Sequence, residues 1–181
     1  MPKIKDIQPT PNINSMRFIL REPITRGVAK EYTTEDEIDD KLASKLFEFE
    51  GVENIYYVDR YVTVTQDGSR EWNKLLREVA EPIRQSQMIS EDDEKKWEKL
   101  TENSSEDPLV KKINEELDKE IRPYLLSDGG GIDVIAVDDK TVTINYKGAC
   151  SSCAISMSST LDGIERMLKM SVDPELELRV V

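Results

Sequence analysis

Histidine is absent from all 181 residues, and cysteine occurs only twice. Without imidazole there is no Ser-His-Asp or Cys-His nucleophile system, no His-Glu-x-x-His zinc site and no histidine-built di-iron centre, which removes most hydrolase chemistry. Basic clusters are also lacking. Lys and Arg number 25 against 37 acidic residues, for a formal net charge of -12, and no run of basic residues interleaves with aromatics. Such a surface repels phosphate backbones, so neither nucleic acid nor an anionic membrane is an expected partner. Long apolar runs are missing too: 38% of residues are hydrophobic and 34% charged, and a mean hydropathy of -0.55 leaves no membrane span. Met1-Pro2-Lys3-Ile4-Lys5-Asp6 holds neither an apolar signal core nor an Arg-rich, acid-poor transit composition, so the expectation is a cytoplasmic protein.

What is present instead is one cysteine pair, in Gly148-Ala149-Cys150-Ser151-Ser152-Cys153, between a strand-like and a helix-like run. A disulfide across so short a loop constrains the unfolded chain little, so a reducing compartment and a functional thiol pair fit better. Two thiolates on a tight loop can chelate iron or zinc, or can cycle between dithiol and disulfide. An iron-sulfur cluster or a structural zinc normally takes four ligands. With no histidine to help, the simplest source of the missing ligands is the same pair on a second copy, giving a metal-bridged homodimer. Cys153 is expected at the first turn of the last helix, where unpaired N–H groups and the dipole favour a thiolate. Gly148 and the two serines are expected to leave the loop uncrowded for a cluster and a second chain.

Three other readings of the pair stay open. A Cys-x-x-Cys at a helix start is the thioredoxin arrangement, although no aromatic precedes Cys150, no Gly-Pro separates the thiols and the only later proline is Pro174. Zinc bridging a dimer uses the same ligands. Incidental small residues in a loop is the plainest possibility. Gly129-Gly130-Gly131 follows a helix and lacks a Gly-Lys-Ser/Thr continuation, so it reads as a helix-to-strand turn and not a phosphate loop. The acids from Glu35 to Asp40 read as a solvated helix start.

The chain divides into two α+β units. In the first, Met16 to Leu20 and Val28 to Tyr32 read as a small hairpin, and Ile38, Leu42, Leu46 and Phe49 follow at helical spacing up to Gly51. Val52 to Val58 and Tyr61 to Thr65 predict a hairpin across Asp59-Arg60, then Trp72 to Ile83 an amphipathic helix containing Pro82. This unit covers 1–90. Residues 91–107 are acidic and polar, a linker whose Trp97 is expected to pack on a neighbouring domain or to hook a partner.

The second unit, 108–181, starts at an Asp107 cap and Pro108. A stripe from Leu109 to Leu125 at intervals of four leads to the glycines. Ile132 to Val137 and Thr141 to Tyr146 form a hairpin, Cys153 to Met170 a helix and Glu175 to Val180 a closing strand. The order is α-β-β-α-β, with a mixed three-stranded sheet whose last strand returns beside the first.

Ile121-Arg122-Pro123-Tyr124-Leu125, Asp128-Gly129-Gly130, the cysteine loop and Ser159-Thr160-Leu161-Asp162-Gly163-Ile164-Glu165 resemble the C-terminal domain of NifU, the Nfu type of iron-sulfur scaffold. The first unit is similar to the N-terminal domain that accompanies it, through Pro11-Asn12, Met16-Arg17-Phe18, Leu46-Phe47, Gly51-Val52, Trp72 and the run Tyr57 to Thr65. Ser152, Ala154 and Gly131 depart from the family's common Gly, Pro and acidic residue. The resemblance implies a non-enzymatic carrier. Two chains would join their Cys150 and Cys153 ligands around one labile cluster, usually [4Fe-4S], supplied by the assembly machinery and passed to apo-proteins. The N-terminal unit would then serve recognition or dimer geometry.

Overall fold

The structure, a computed structural model, describes residues 2–86, 107–151 and 154–181, and of 154–159 the backbone alone. The Trp97 reading and most of the proposed linker lie outside the described residues.

The N-terminal unit is a five-stranded sheet of order β1-β2-β5-β4-β3 with every pairing antiparallel. Its strands are β1 (Ile4–Pro9), β2 (Ser15–Leu20), β3 (Lys30–Thr33), β4 (Val52–Val58) and β5 (Tyr61–Gln66). The β4–β5 hairpin turns where the sequence predicts, at Asp59-Arg60, with Asp59 in the left-handed region at φ 51°. Aspartate tolerates that conformation better than most residues.

The first predicted hairpin does not form. β2 pairs with β1 and β5, and β3 pairs with β4, because β1, the strand just before β2 in sequence, takes the edge that the sequence assigns to the following strand. β1 carries no clear alternation, so nothing in its sequence marks it as a strand.

Two helices cover one face. α1 (Lys41–Phe47) starts later than the apolar spacing suggests, because the Asp40 carboxylate accepts the Leu42 and Ala43 N–H groups and fixes the cap there. α2 (Trp72–Gln85) holds Pro82 within it and buries Leu75, Val79 and Ile83. Phe18, Leu46, Ile55, Val62, Val64 and Leu75 are fully buried between helices and sheet.

In the C-terminal unit the Asp107 carboxylate caps α3 (Pro108–Glu116) by accepting the Leu109 N–H, as the Asp-Pro pair predicts. The helix then widens into a π turn over Leu117–Ile121 before α4 (Arg122–Ser127). Pro123 has no N–H for the Lys119 carbonyl, and its ring crowds that turn, which accounts for the widening. The wide turn has a packing consequence. Steps of four drift around a helix of about 3.6 residues per turn, and one broader turn brings Leu125 back to the buried side with Ile113 and Leu117.

β6 (Gly130–Asp138) and β7 (Thr141–Gly148) form an antiparallel hairpin, α5 (Ala154–Ser171) crosses over, and β8 (Glu177–Val180) joins β7 in parallel. The sheet is mixed as expected, but its order is β6-β7-β8. The last strand lies beside the second strand and not the first. β7, with alternate residues Val142, Ile144 and Tyr146 buried, is the natural centre, whereas β6 is half exposed along Ile135 and Ala136.

Candidate metal centre

The site is a tight turn that runs from the end of β7 toward α5. The Ala149 N–H donates to the Gly129 carbonyl at 3.2 Å, and the Ser151 N–H and hydroxyl both donate to the Gly148 carbonyl at 3.1 and 2.8 Å. Gly148 bends the chain here at φ 61°, a left-handed conformation that glycine adopts without cost.

Cys150 is 5% exposed and packs with Ile113, Ile132, Tyr146 and Ile164. Its Sγ occupies the space that a Cβ on Gly130 would fill, 2.5 Å from that ideal position. Gly130 sits opposite Gly148 in the hairpin register, and of the two it is Gly130 whose missing side chain makes room for the sulfur. A soft donor on a short main-chain-built turn, with a bare backbone beside it, suits an iron or cluster ligand.

Cys153 lies outside the described residues; the helix behind it begins at Ala154. Among the described residues no three acidic or cysteine side chains converge as a metal site.

The surroundings correct one expectation. The loop is not open around Gly148, because the Tyr56 ring of the N-terminal unit lies 2.9 Å from where a Gly148 Cβ would stand. Glu31 Oε1 accepts the Gly148 N–H at 2.7 Å, and Asn12 Nδ2 donates to the Ala149 carbonyl at 3.3 Å. Burial, with the charges of Asp133, Glu31 and Cys150 added, pushes the Tyr56 hydroxyl far above its ordinary range and keeps it protonated. Burial and then the Cys150 charge push Tyr146 up to about 12. The Tyr146 hydroxyl is buried with no hydrogen-bond partner among the described residues. Sequence reasoning missed the contacts of Glu31, Asn12 and Tyr56 with the turn: all three are far from the cysteines along the chain, and Asn12, though part of the Pro11-Asn12 motif, carries no mark of this partner.

Two family models match the chain: scaffold protein Nfu/NifU N-terminal over residues 4–91 and NifU-like domain over 113–179. A NifU-like protein of Schizosaccharomyces pombe is 31% identical, covering 93% of this chain and 68% of its own. The chain belongs to the Nfu/NifU family. The NFU1 iron-sulfur cluster scaffold homolog, mitochondrial, of Homo sapiens is 29% identical over 94% of this chain and 68% of that one. The mitochondrial NifU-like protein of Saccharomyces cerevisiae is 31% identical over 93% and 77%. A solved NifU-like structure from the same yeast is 28% identical, with a TM-score of 0.41 over 43% of this chain and 72% of that one. As an Nfu-type protein the chain is an iron-sulfur scaffold relative with the α+β architecture described above. No helix among its described residues is long and apolar enough to cross a membrane.

Proposed function

We propose that two copies of the chain, each supplying Cys150 and Cys153, hold one [4Fe-4S] cluster between them and pass it to apo-proteins by ligand exchange. The observation that carries this is the seat of Cys150. Its sulfur rests against the bare backbone of Gly130 in a tight turn, in one buried cluster with Ile113, Ile132, Tyr146 and Ile164, so a single soft donor is fixed in place by its fold. A chain with two thiols and no histidine cannot satisfy iron alone.

A cluster held at a subunit interface is released when the chains separate, whereas a four-cysteine cage would retain it. The protein is then a carrier and not an enzyme, loaded by the assembly machinery, with no organic bond made or broken. Cytoplasm fits as a compartment that keeps both thiols reduced; the human and budding-yeast relatives are mitochondrial by name. Units of 1–90 and 108–181 joined by a linker at 91–107 suit the division of labour, with the N-terminal unit as the contact for client proteins.

Anaerobic reconstitution of the full chain tests the reading. One cluster per dimer gives about two irons and about two sulfides per chain, and Cys150→Ser or Cys153→Ser abolishes uptake. A colourless zinc-bridged dimer, or a monomer that reduces insulin through an intrachain disulfide, would replace the reading with the zinc or oxidoreductase alternative.

A further inference from the structure

One row of side chains runs across all five strands of the N-terminal sheet, on the face turned away from α1 and α2. Register places Gln8 beside Arg17, Arg17 beside Thr63, Thr63 beside Tyr56 and Tyr56 beside Glu31. An antiparallel sheet with helices on one side commonly shows the other side to water. This row is covered instead, with Arg17, Tyr56 and Thr63 at 9%, 4% and 1% exposure.

What covers it is the cysteine turn and its foundations. Glu31 and Asn12 bond the Gly148 N–H and the Ala149 carbonyl, the two residues before Cys150. Arg17 Nη1 donates to the Leu126 carbonyl at 2.6 Å. The C-terminal side is shaped to receive the row: an added Cβ would stand 2.8 Å from the Thr10 methyl at Gly129 and 2.5 Å from the Tyr56 hydroxyl at Gly131.

We propose that the outer face of the N-terminal sheet is an intramolecular cap on the cysteine turn, and that a second copy of the chain must displace it before the thiols can be shared. The second half of this statement rests on the scaffold reading; the cap itself does not. Glu31 and Asn12 hold the main chain of the two residues before Cys150, and Tyr56 packs against Gly148. The Cys150 sulfur itself is turned inward and buried, so sharing it with a partner requires the turn to loosen, and these contacts are what hold the turn.

The contact is also poised to open. Arg17 Nε, Asn54 Oδ1 and Thr63 Oγ1, all on this sheet face, are buried with no hydrogen-bond partner among the described residues. Each is a desolvation cost that water relieves once the units part. A cleft of about 510 Å³ beside the turn, lined by Gly27, Tyr56, Arg122, Gly130 and Asp133 among others, already brings solvent to the seam.

The test reads the accessibility of Cys150 in the full chain carrying Cys153→Ser, by iodoacetamide alkylation followed by mass spectrometry. Two cap variants are compared, Glu31→Gln, which removes a charge, and Gly131→Asp, which adds one and drives the Tyr56 hydroxyl away. Both are expected to accelerate alkylation at least about tenfold, the factor for losing one charge-assisted hydrogen bond from the closed form. Equal rates in the parent and both variants overturn the cap, as do rates that move in opposite directions, which would mean local charge and not opening. Iron and sulfide uptake, measured with both cysteines present, separates the two proposals. Faster alkylation with no uptake by any form leaves the cap and removes the scaffold; normal uptake with unchanged alkylation does the reverse.

Discussion

At Gly130 an added Cβ would stand 2.5 Å from Cys150 Sγ and 2.5 Å from the Lys147 carbonyl oxygen, closer than side chains approach in a packed interior. Gly130→Ala must therefore move either the sulfur or the β7 backbone. Overpacking of this kind costs about 2 kcal/mol, and urea unfolding of the C-terminal unit should register it; a change below about 0.5 kcal/mol would mean the sulfur is not held there. Tyr146 makes the opposite case, because its buried hydroxyl has no partner. Tyr146→Phe should be neutral or stabilising by up to about 1 kcal/mol in the metal-free chain, since it deletes an unsatisfied polar atom and leaves the ring packed. In sequence the three glycines read as one turn. Gly130 and Gly131 are in fact strand residues, each clearing space for a different neighbour, Cys150 and Tyr56, and a steric demand from so far along the chain leaves no local mark.

Among the elements, those that rest on local chemistry were legible. The Asp107-Pro108 start, the Asp59-Arg60 hairpin and the helical crossover after the cysteines all stand close to where the pattern puts them. Elements that depend on distant partners were not. The β2–β5 and β3–β4 pairings are set by the whole sheet, whereas β1, the local hairpin partner of β2, carries no alternation to mark it, and the π turn answers to Pro123 and to a stripe spaced at fours. α1 shows a cap overriding periodicity, and the cap carries a pH signature. Burial disfavours the Asp40 carboxylate, but hydrogen bonds from Tyr57, from the Ala43 N–H and from Lys30 outweigh it and hold the pKa below the usual range. A depressed folded pKa means stability that is full above the unfolded carboxylate value, near 4, and lost as pH falls through the lower folded one. Asp40→Ala should cost about 1 kcal/mol at neutral pH through the lost cap. Asp40→Asn should keep most of the cap and flatten the acid limb of the urea-midpoint profile; an acid limb as steep as the parent's would remove Asp40 as its source.

For the molecule as a whole, the least legible feature is how the two units meet. Alternation along β2 and β5 sets Arg17 and Thr63 on the face opposite the core, where a polar residue ordinarily meets water, yet they are 9% and 1% exposed. Polar residues that cover a second domain look, in sequence, like polar residues that face water. Arg17 is the residue on which the two readings differ most. Its guanidinium reaches the Leu126 carbonyl across the seam at 2.6 Å and Gln8 at 2.5 Å within its own sheet, and lies 5.4 Å from the Tyr61 ring centroid. A planar fork fixed by two neutral acceptors and an aromatic face is not replaceable by an ammonium. On a wet surface Arg17→Lys would change stability by less than about 0.5 kcal/mol. At the seam it removes one charged hydrogen bond between the units, worth about 1.5–3 kcal/mol, and cooperativity between them depends on such contacts. Scanning calorimetry should therefore show the C-terminal unit melting earlier in Arg17→Lys and pulling away from the N-terminal transition. Coincident transitions at the parent temperature would place Arg17 in solvent and separate the sheet face from the cysteine turn.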